Sequence, residues 1–199
     1  MQLSRHYVVP HISTGDIFRA AMKAGTPMGK LAQTFVADGQ LVPDEIVIGI
    51  VAERLSERDA RSRGFILDGF PRTTHQAEAL EKILQPLHLD AAIDLAVATE
   101  LVQERLASRR VCSSCGNNYS VHVPPSHKWR CDHCGGDVIQ RDDDRPEAIK
   151  VRLDAYEAQT SPLIAWYTGR GLLETVDGSQ PPDVVFEAAV AAITRRHAR

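Results

Sequence analysis

All four cysteines of the chain fall in one stretch, as Cys112-x2-Cys115 and Cys131-x2-Cys134 with fifteen residues between the pairs. A Cys-x2-Cys turn brings two thiolates onto one tetrahedral ion, and Gly116 and Gly135 let the backbone fold tightly around it. This is zinc-ribbon spacing. Four protein ligands leave no coordination position open, so the metal expected here is structural rather than catalytic. Two disulfides or four free thiols are the alternative reading. A disulfide scaffold in a small secreted domain would spread its cysteines more widely. His122, His127 and His133 share the stretch, but four thiolates suffice and these histidines read as surface residues.

A second run can do chemistry: Gly64-Phe65-Ile66-Leu67-Asp68-Gly69-Phe70-Pro71-Arg72-Thr73. Its first five residues read as a short buried strand. Gly69 and Pro71 then fix an unusual strand-end turn around Arg72. The G-x-x-x-x-G-K-[ST] phosphate loop is absent from these 199 residues. Gly25-Thr26-Pro27-Met28-Gly29-Lys30-Leu31 is not that motif, and it falls between helices.

The elements that position these residues alternate. Ser13 reads as an N-cap with Asp16 three residues on, opening a helix to about 24. A second helix runs over about 28–37 and stops at Asp38-Gly39. Pro43-Asp44-Glu45 opens a third, with Pro at the first position and acids on the positive helix end. Further helices are expected over about 74–84, 99–109, 146–167 and 182–196. Residues 91–97 and 171–176 read as strands. Strands alternating with helices mean a mostly parallel sheet with helices on both faces. Residues 110–142 break the rhythm; rich in Cys, Gly, Pro and Ser, they read as an insert with its own small β core.

The formal net charge is −3 and the isoelectric point about 6.2. No strongly basic block exists, which argues against a nucleic-acid partner. No apolar run approaches a membrane span of ~18 residues, and the N-terminal residues lack the apolar core of a secretory signal. A monomeric cytoplasmic protein is the expectation.

Ser13-Thr14-Gly15-Asp16…Arg19, Leu41-Val42-Pro43-Asp44-Glu45, Asp68-Gly69-Phe70-Pro71-Arg72-Thr73, Gln76, Arg109-Arg110, Arg141-x-Asp143-Asp144 and Val176-Asp177-Gly178 stand in the order and spacing of adenylate kinases. From Tyr7 onward the chain resembles that family, and its cysteine insert resembles the long zinc-bearing lid of many bacterial members. The resemblance implies an α/β fold like that of the P-loop kinases, a parallel sheet flanked by helices. It implies a core of residues 1–12, 43–109 and 145–199, a helical AMP-binding segment 13–42 and a small β lid 110–144. The implied reaction is ATP + AMP ⇌ 2 ADP, with Mg²⁺ on the nucleotide and structural Zn²⁺ on Cys112, Cys115, Cys131 and Cys134. Phosphoryl transfer between two nucleotides gathers much negative charge, and arginine is always charged and binds phosphate bidentately.

By the same resemblance, Arg19 and Arg72 hold the AMP phosphate. Thr14, Val42 and Gln76 lie on its adenine side, with backbone groups around Gln40 and Gly69 completing the site. Arg109, Arg141 and Arg152 close over the transferring phosphoryl, and Arg105 is a further phosphate-facing candidate. Asn118 and Tyr119 match positions that meet the ATP base or ribose, although Tyr119 could equally belong to the core of the lid. Gln180 matches a backbone contact to adenine. Asp68 either holds water on the nucleotide-bound Mg²⁺ or caps the next helix. Asp143 and Asp144 tie the closed lid down. Thr14 favours AMP over pyrimidine monophosphates, whose kinases commonly carry a small residue there. In the family the chain begins with a central strand and the phosphate loop, in sheet order 2-3-1-4-5. About 17 residues supplying that motif would lie upstream of Met1, so a longer natural protein is the expectation. The alternative is a catalytically silent nucleotide-binding remnant.

Overall fold

The computed structural model describes residues 2–37 and 40–197. The expected helix stop at Asp38-Gly39 lies outside the described residues. The first half of the chain runs α1 (Gln2–Tyr7), β1 (His11–Ser13), α2 (Thr14–Lys23), α3 (Pro27–Ala37), α4 (Asp44–Ser56), α5 (Arg58–Arg63), β2 (Ile66–Asp68) and α6 (Thr74–Leu84). The second half runs β3 (Ala92–Ala96), α7 (Thr99–Ser108), β4 (Arg109–Cys112), β5 (Asn118–Ser120), β6 (Val138–Ile139), α8 (Pro146–Ala155), α9 (Pro162–Gly169), β7 (Leu173–Asp177) and α10 (Pro182–His197).

The parallel strands form two pairs. β1 pairs with β2, Ser13 opposite Asp68, and β3 pairs with β7, Ala92 opposite Leu173. Among the described residues no ladder joins the pairs. In the strand order 2-3-1-4-5 they are the second with the third and the fourth with the fifth. The expected parallel sheet is thus present, among the described residues, as two separate two-stranded pairs. A separate antiparallel sheet, β5-β4-β6, lies within residues 109–139.

Local chemistry explains the elements nearest the site. Ser13 is the N-cap of α2, its hydroxyl accepting from the Asp16 N–H at 3.3 Å. Thr73 does the same for α6, accepting from Gln76 N–H at 3.1 Å. Gly29 lets α3 press against α2, since a Cβ there would stand 2.1 Å from the Ala21 carbonyl oxygen. The main core gathers around Ile12, Val51, Phe70 and Leu80, beneath the strand-end turn.

Four details differ from the sequence expectation. Pro43 sits at the N-cap of α4 rather than at its first helical position. The three-residue β1 was not expected, being too short to show an alternation, and neither was α5. The helix expected over 146–167 is interrupted by a π-turn, Tyr156–Thr160. Pro162 has no N–H to donate and its ring crowds the carbonyl four residues back. The helix widens just ahead of it, and Ser161 N–H donates to the Tyr156 carbonyl, five residues back, at 2.8 Å.

Candidate functional site

At the end of β2 the chain turns sharply to present Arg72. Gly69 has φ +75°, and a Cβ there would meet Arg72 Nη2 at 3.0 Å and Thr14 Oγ1 at 3.2 Å. Buried Phe70 anchors the turn in the core. Both main-chain polar groups of Arg72 are held by side chains. Its N–H donates to Gln76 Oε1 at 2.8 Å, and its carbonyl accepts from Thr160 Oγ1 at 2.9 Å. Its own Nε donates to the Gly69 carbonyl at 2.9 Å, which also accepts from Thr14 Oγ1 at 3.0 Å.

Asp44, at the start of α4, braces this turn from below. Its carboxylate accepts from Gln76 Nε2 at 2.7 Å and from Thr73 Oγ1 at 2.6 Å, and His75 Nδ1 lies 3.2 Å away. Gln76 is 2% exposed and spends both ends of its amide inside the protein. Buried amides of this kind fix geometry, because an unmade bond leaves a desolvated group.

Asp68 is not a helix cap, since Thr73 takes that position. Its side chain is 63% exposed, with His11 Nε2 at 3.2 Å. Arg19, on α2, is ion-paired with Asp16.

Three more arginines meet two aspartates at the foot of the antiparallel sheet. Asp144 is 0% exposed and accepts from Arg109 Nε at 2.8 Å and from Arg152 Nη1 at 3.2 Å. Asp143 accepts from Arg141 Nε and Nη2 at 3.1 and 3.2 Å, and from Arg152 Nη1 at 3.0 Å. Burial works to raise the Asp143 pKa, but the charges of Arg141 and Arg152 outweigh it and hold the carboxyl below the ordinary range. Burial pulls the pKa of Arg72, Arg141 and Arg152 down. The like charge of Arg19 adds to this at Arg72 and Arg141, as does Arg109 at Arg141 and Arg152. Arginine starts so high that all remain cations at neutral pH. The five guanidiniums are thus linked electrostatically, Arg72 to Arg19, Arg19 and Arg109 to Arg141, and Arg109 and Arg141 to Arg152.

Two clefts are lined in part by residues singled out from the sequence. One, of about 390 Å³, is lined by Leu101, Arg105, Arg109, Asn118 and Tyr119. The other, of about 600 Å³, is lined by Phe35, Gln40, Val42, Asp44 and Val151. Arg105 donates to the carbonyls of Gly178 and Ser179 at 2.8 and 3.0 Å. Its guanidinium thus holds the loop after β7. Gln180 donates from Nε2 to Asp177 at 2.8 Å. The Ser179 hydroxyl, then Gln180, hold that carboxyl down at about 2. Gln40 uses its backbone N–H on the Phe35 carbonyl at 2.9 Å.

No disulfide joins the four cysteines, and their sulfurs lie within 4.8 Å of one another. Cys112 and Cys134 are 3.4 Å apart, Cys115 and Cys131 3.6 Å. A tetrahedral Zn²⁺ with Zn–S near 2.3 Å requires sulfurs about 3.8 Å apart. The backbone supports the donors, with Ser114 and Cys115 N–H pointing at Cys112 Sγ. Tyr119 donates its hydroxyl to Cys131 Sγ at 3.4 Å and packs on Cys112, Cys131 and Val138, so it serves the small core while its ring borders the cleft.

The family model for adenylate kinase matches residues 1–172. The adenylate kinase of Thermodesulfovibrio yellowstonii is 47% identical over 198 residues, spanning 98% of this chain and 92% of that protein. Those of Moorella thermoacetica, 48% identical over 197 residues, and Shouchella clausii, 51% over 195, cover 98% and 96% of this chain and 90% and 89% of theirs. The chain belongs to the adenylate kinase family.

It is a nucleoside monophosphate kinase. The structure of this kinase gathers Arg19, Arg72, Arg109, Arg141 and Arg152, and distributes Gln40 and Val42 to one cleft, Arg105, Asn118 and Tyr119 to the other. Two residues at the site escaped the sequence reading. Asp44 stands in the Leu41–Glu45 run and reads as a helix-opening acid with no role of its own at the site; an acid facing Thr73 and Gln76 across two helix starts is a contact no local pattern reveals. Thr160 carried no signal at all.

Proposed function

We propose that this kinase binds AMP in the cleft lined by Gln40 and Val42 and ATP in the cleft lined by Asn118 and Tyr119. The reading rests on one observation, the convergence of five arginines from α2, the Arg72 turn, the foot of the β sheet and α8. Arg19 and Arg72 grip the AMP phosphate, with Thr14, Val42 and Gln76 on the base side and Gly69 and Gln40 supplying backbone. Arg109, Arg141 and Arg152 neutralise charge on the transferring phosphoryl. Arg105, Asn118, Tyr119 and Gln180 form the ATP base site, Arg105 by holding the loop that carries Gln180. No covalent intermediate is needed; positioning and charge neutralisation carry the step. Closure of segment 13–42 and lid 110–144 excludes water that would otherwise accept the phosphoryl.

Two metals belong to this reading. Mg²⁺ arrives with ATP and spreads the phosphate charge, and the exposed carboxylate of Asp68 is an acceptor suited to a water held on that ion. Zn²⁺ on Cys112, Cys115, Cys131 and Cys134 is structural. The sulfur spacing supports it. We place the kinase in the cytoplasm as a monomer, without nucleic-acid or membrane partners. No helix among the described residues is long and apolar enough to cross a membrane.

A coupled assay of ADP formation with AMP, GMP, CMP and UMP tests the substrate assignment, and AMP should lead. Arg72→Ala should cut turnover about 100-fold or more while leaving the fold intact, as loss of one charge-stabilising donor does elsewhere. Near-normal kinetics in that variant would remove Arg72 from the site. No activity with any monophosphate would favour the silent binder.

A further inference from the structure

We infer that Thr160 is a positioning residue for Arg72: its hydroxyl, brought round by the π-turn ahead of Pro162, holds the Arg72 main chain so that the guanidinium meets the AMP phosphate. The inference rests on the role of Arg72 proposed above.

Arg72 sits outside every helix and ladder, so its main-chain groups need partners from elsewhere. The N–H finds Gln76, four residues on. The carbonyl finds Thr160, 88 residues away, at 2.9 Å. This is the one hydrogen bond among those described between the Arg72 turn and the stretch joining α8 to α9. The π-turn makes it possible. Each residue of an α-helix turns about 100°, so one residue more or less before position 160 would swing the hydroxyl away from Arg72.

The bond also links two arms of the site. Arg152 lies eight residues before Thr160 on the same helical run, paired with Asp143 and Asp144. Arg72 lies on the strand-end turn. Through Thr160 the helix that carries one phosphate-facing arginine fixes the loop that carries another.

The test is AMP and ATP binding by calorimetry to the wild type, Thr160→Val, Thr160→Ser, Arg72→Ala and the double variant Arg72→Ala/Thr160→Val. Valine keeps the volume and removes the hydroxyl; serine keeps the hydroxyl. Loss of one such bond should raise the AMP Kd about fivefold in Thr160→Val. Thr160→Ser should stay within twofold of wild type, and ATP binding should not change in either. With Arg72 already alanine, adding Thr160→Val should shift the AMP Kd by less than twofold, because the hydroxyl acts through that guanidinium. An equal shift in both backgrounds would mean general loosening and overturn the inference. Wild-type AMP affinity in Thr160→Val would overturn it as well, as would serine failing like valine. If Thr160→Val does not fold, Thr160→Ala takes its place under the same criteria. Wild-type AMP binding by Arg72→Ala alone would instead refute the Arg72 reading.

Discussion

Asp144 is the residue whose loss should be felt most widely. It is 0% exposed, and its carboxylate is flanked by Arg109 in a two-pronged contact, at 2.8 and 2.5 Å, and by Arg152 at 3.2 Å. Its main chain is tied as well, N–H to the Arg141 carbonyl and carbonyl to Gln140 Nε2. Replacing it by alanine leaves two guanidiniums that have lost their nearest anion. Removing one partner of a buried ion pair costs about 3–5 kcal/mol, because the other charge is left uncompensated. Here Arg109 and Arg152 are each 25% exposed and can take up water, so the lower end applies, about 3 kcal/mol for Asp144→Ala. At about 2–4 °C per kcal/mol for a chain of this size, the melting temperature should fall by about 6–12 °C. Asp144→Asn keeps the shape but loses the charge and turns one acceptor oxygen into an NH2 that faces a guanidinium, so it should recover at most part of the loss. Calorimetry on the three proteins at one pH, with reversibility checked by a second scan, measures this. A melting temperature for Asp144→Ala within 2 °C of wild type would mean that the guanidiniums are hydrated well enough to need no counter-charge. The account of the site as a braced cluster would then fail.

Three further outcomes follow from the same geometry. A strong chelator should release one zinc per chain and lower the melting temperature, while Cys131→Ser should bind no zinc; a chain that holds no metal and ignores the chelator would refute the zinc reading. Gly29→Ala should destabilise strongly, by about 3 kcal/mol or more, since the new Cβ meets backbone at 2.1 Å and α2 must part from α3; chemical denaturation showing a change under 1 kcal/mol would mean the helices are loosely packed. Asp143 has its pKa held below the ordinary carboxylate value, so protons bind the unfolded chain first as the pH falls. Its stabilising contribution is complete above about pH 4 and fades as the pH drops through the lowered value. Asp143→Asn should therefore flatten the acid side of the stability profile, and an unchanged acid limb would refute this.

How much of this was readable beforehand depended on the range of the interactions. For α6 the sequence offered Asp68, and the structure caps that helix with Thr73 instead. The Ser13 cap was local and legible, its hydroxyl bonding the N–H three residues on. The cysteine knuckles were legible for the same reason. Arg72 announced itself through Gly69 and Pro71, residues that constrain backbone. What failed to show was everything set by tertiary contact. Arg105 reads in the sequence as a phosphate-facing candidate, and its bonds to the carbonyls of a loop 73 residues later in the chain carry no local signal. Asp44 looked like a helix-dipole acid, yet it also braces residues 29 and 32 positions away. The interruption before Pro162 could have been anticipated from proline's missing N–H. That it would take the form of a π-turn, and aim Thr160 at Arg72, could not.

A cluster of five arginines must also survive when no phosphate is present. Like charges at short range repel, and burial adds a desolvation penalty to each. The chain meets both problems with carboxylates that are themselves fixed: Asp143 and Asp144 on a single turn of 3₁₀ helix, Asp16 beside Arg19. These anions accept some guanidinium N–H groups and leave others unused, which on the proposed reading are the ones that meet the phosphates. Arg152 uses Nη1 for all three of its bonds to residues 143 and 144. The same pairing sets the orientation of each fork before substrate arrives, so less reorganisation is needed at the moment of transfer. If the arginines act as proposed above, stability and catalysis are coupled at these positions. A change that removes a carboxylate should weaken the fold and also let the arginines that remain drift from the geometry the phosphoryl group requires.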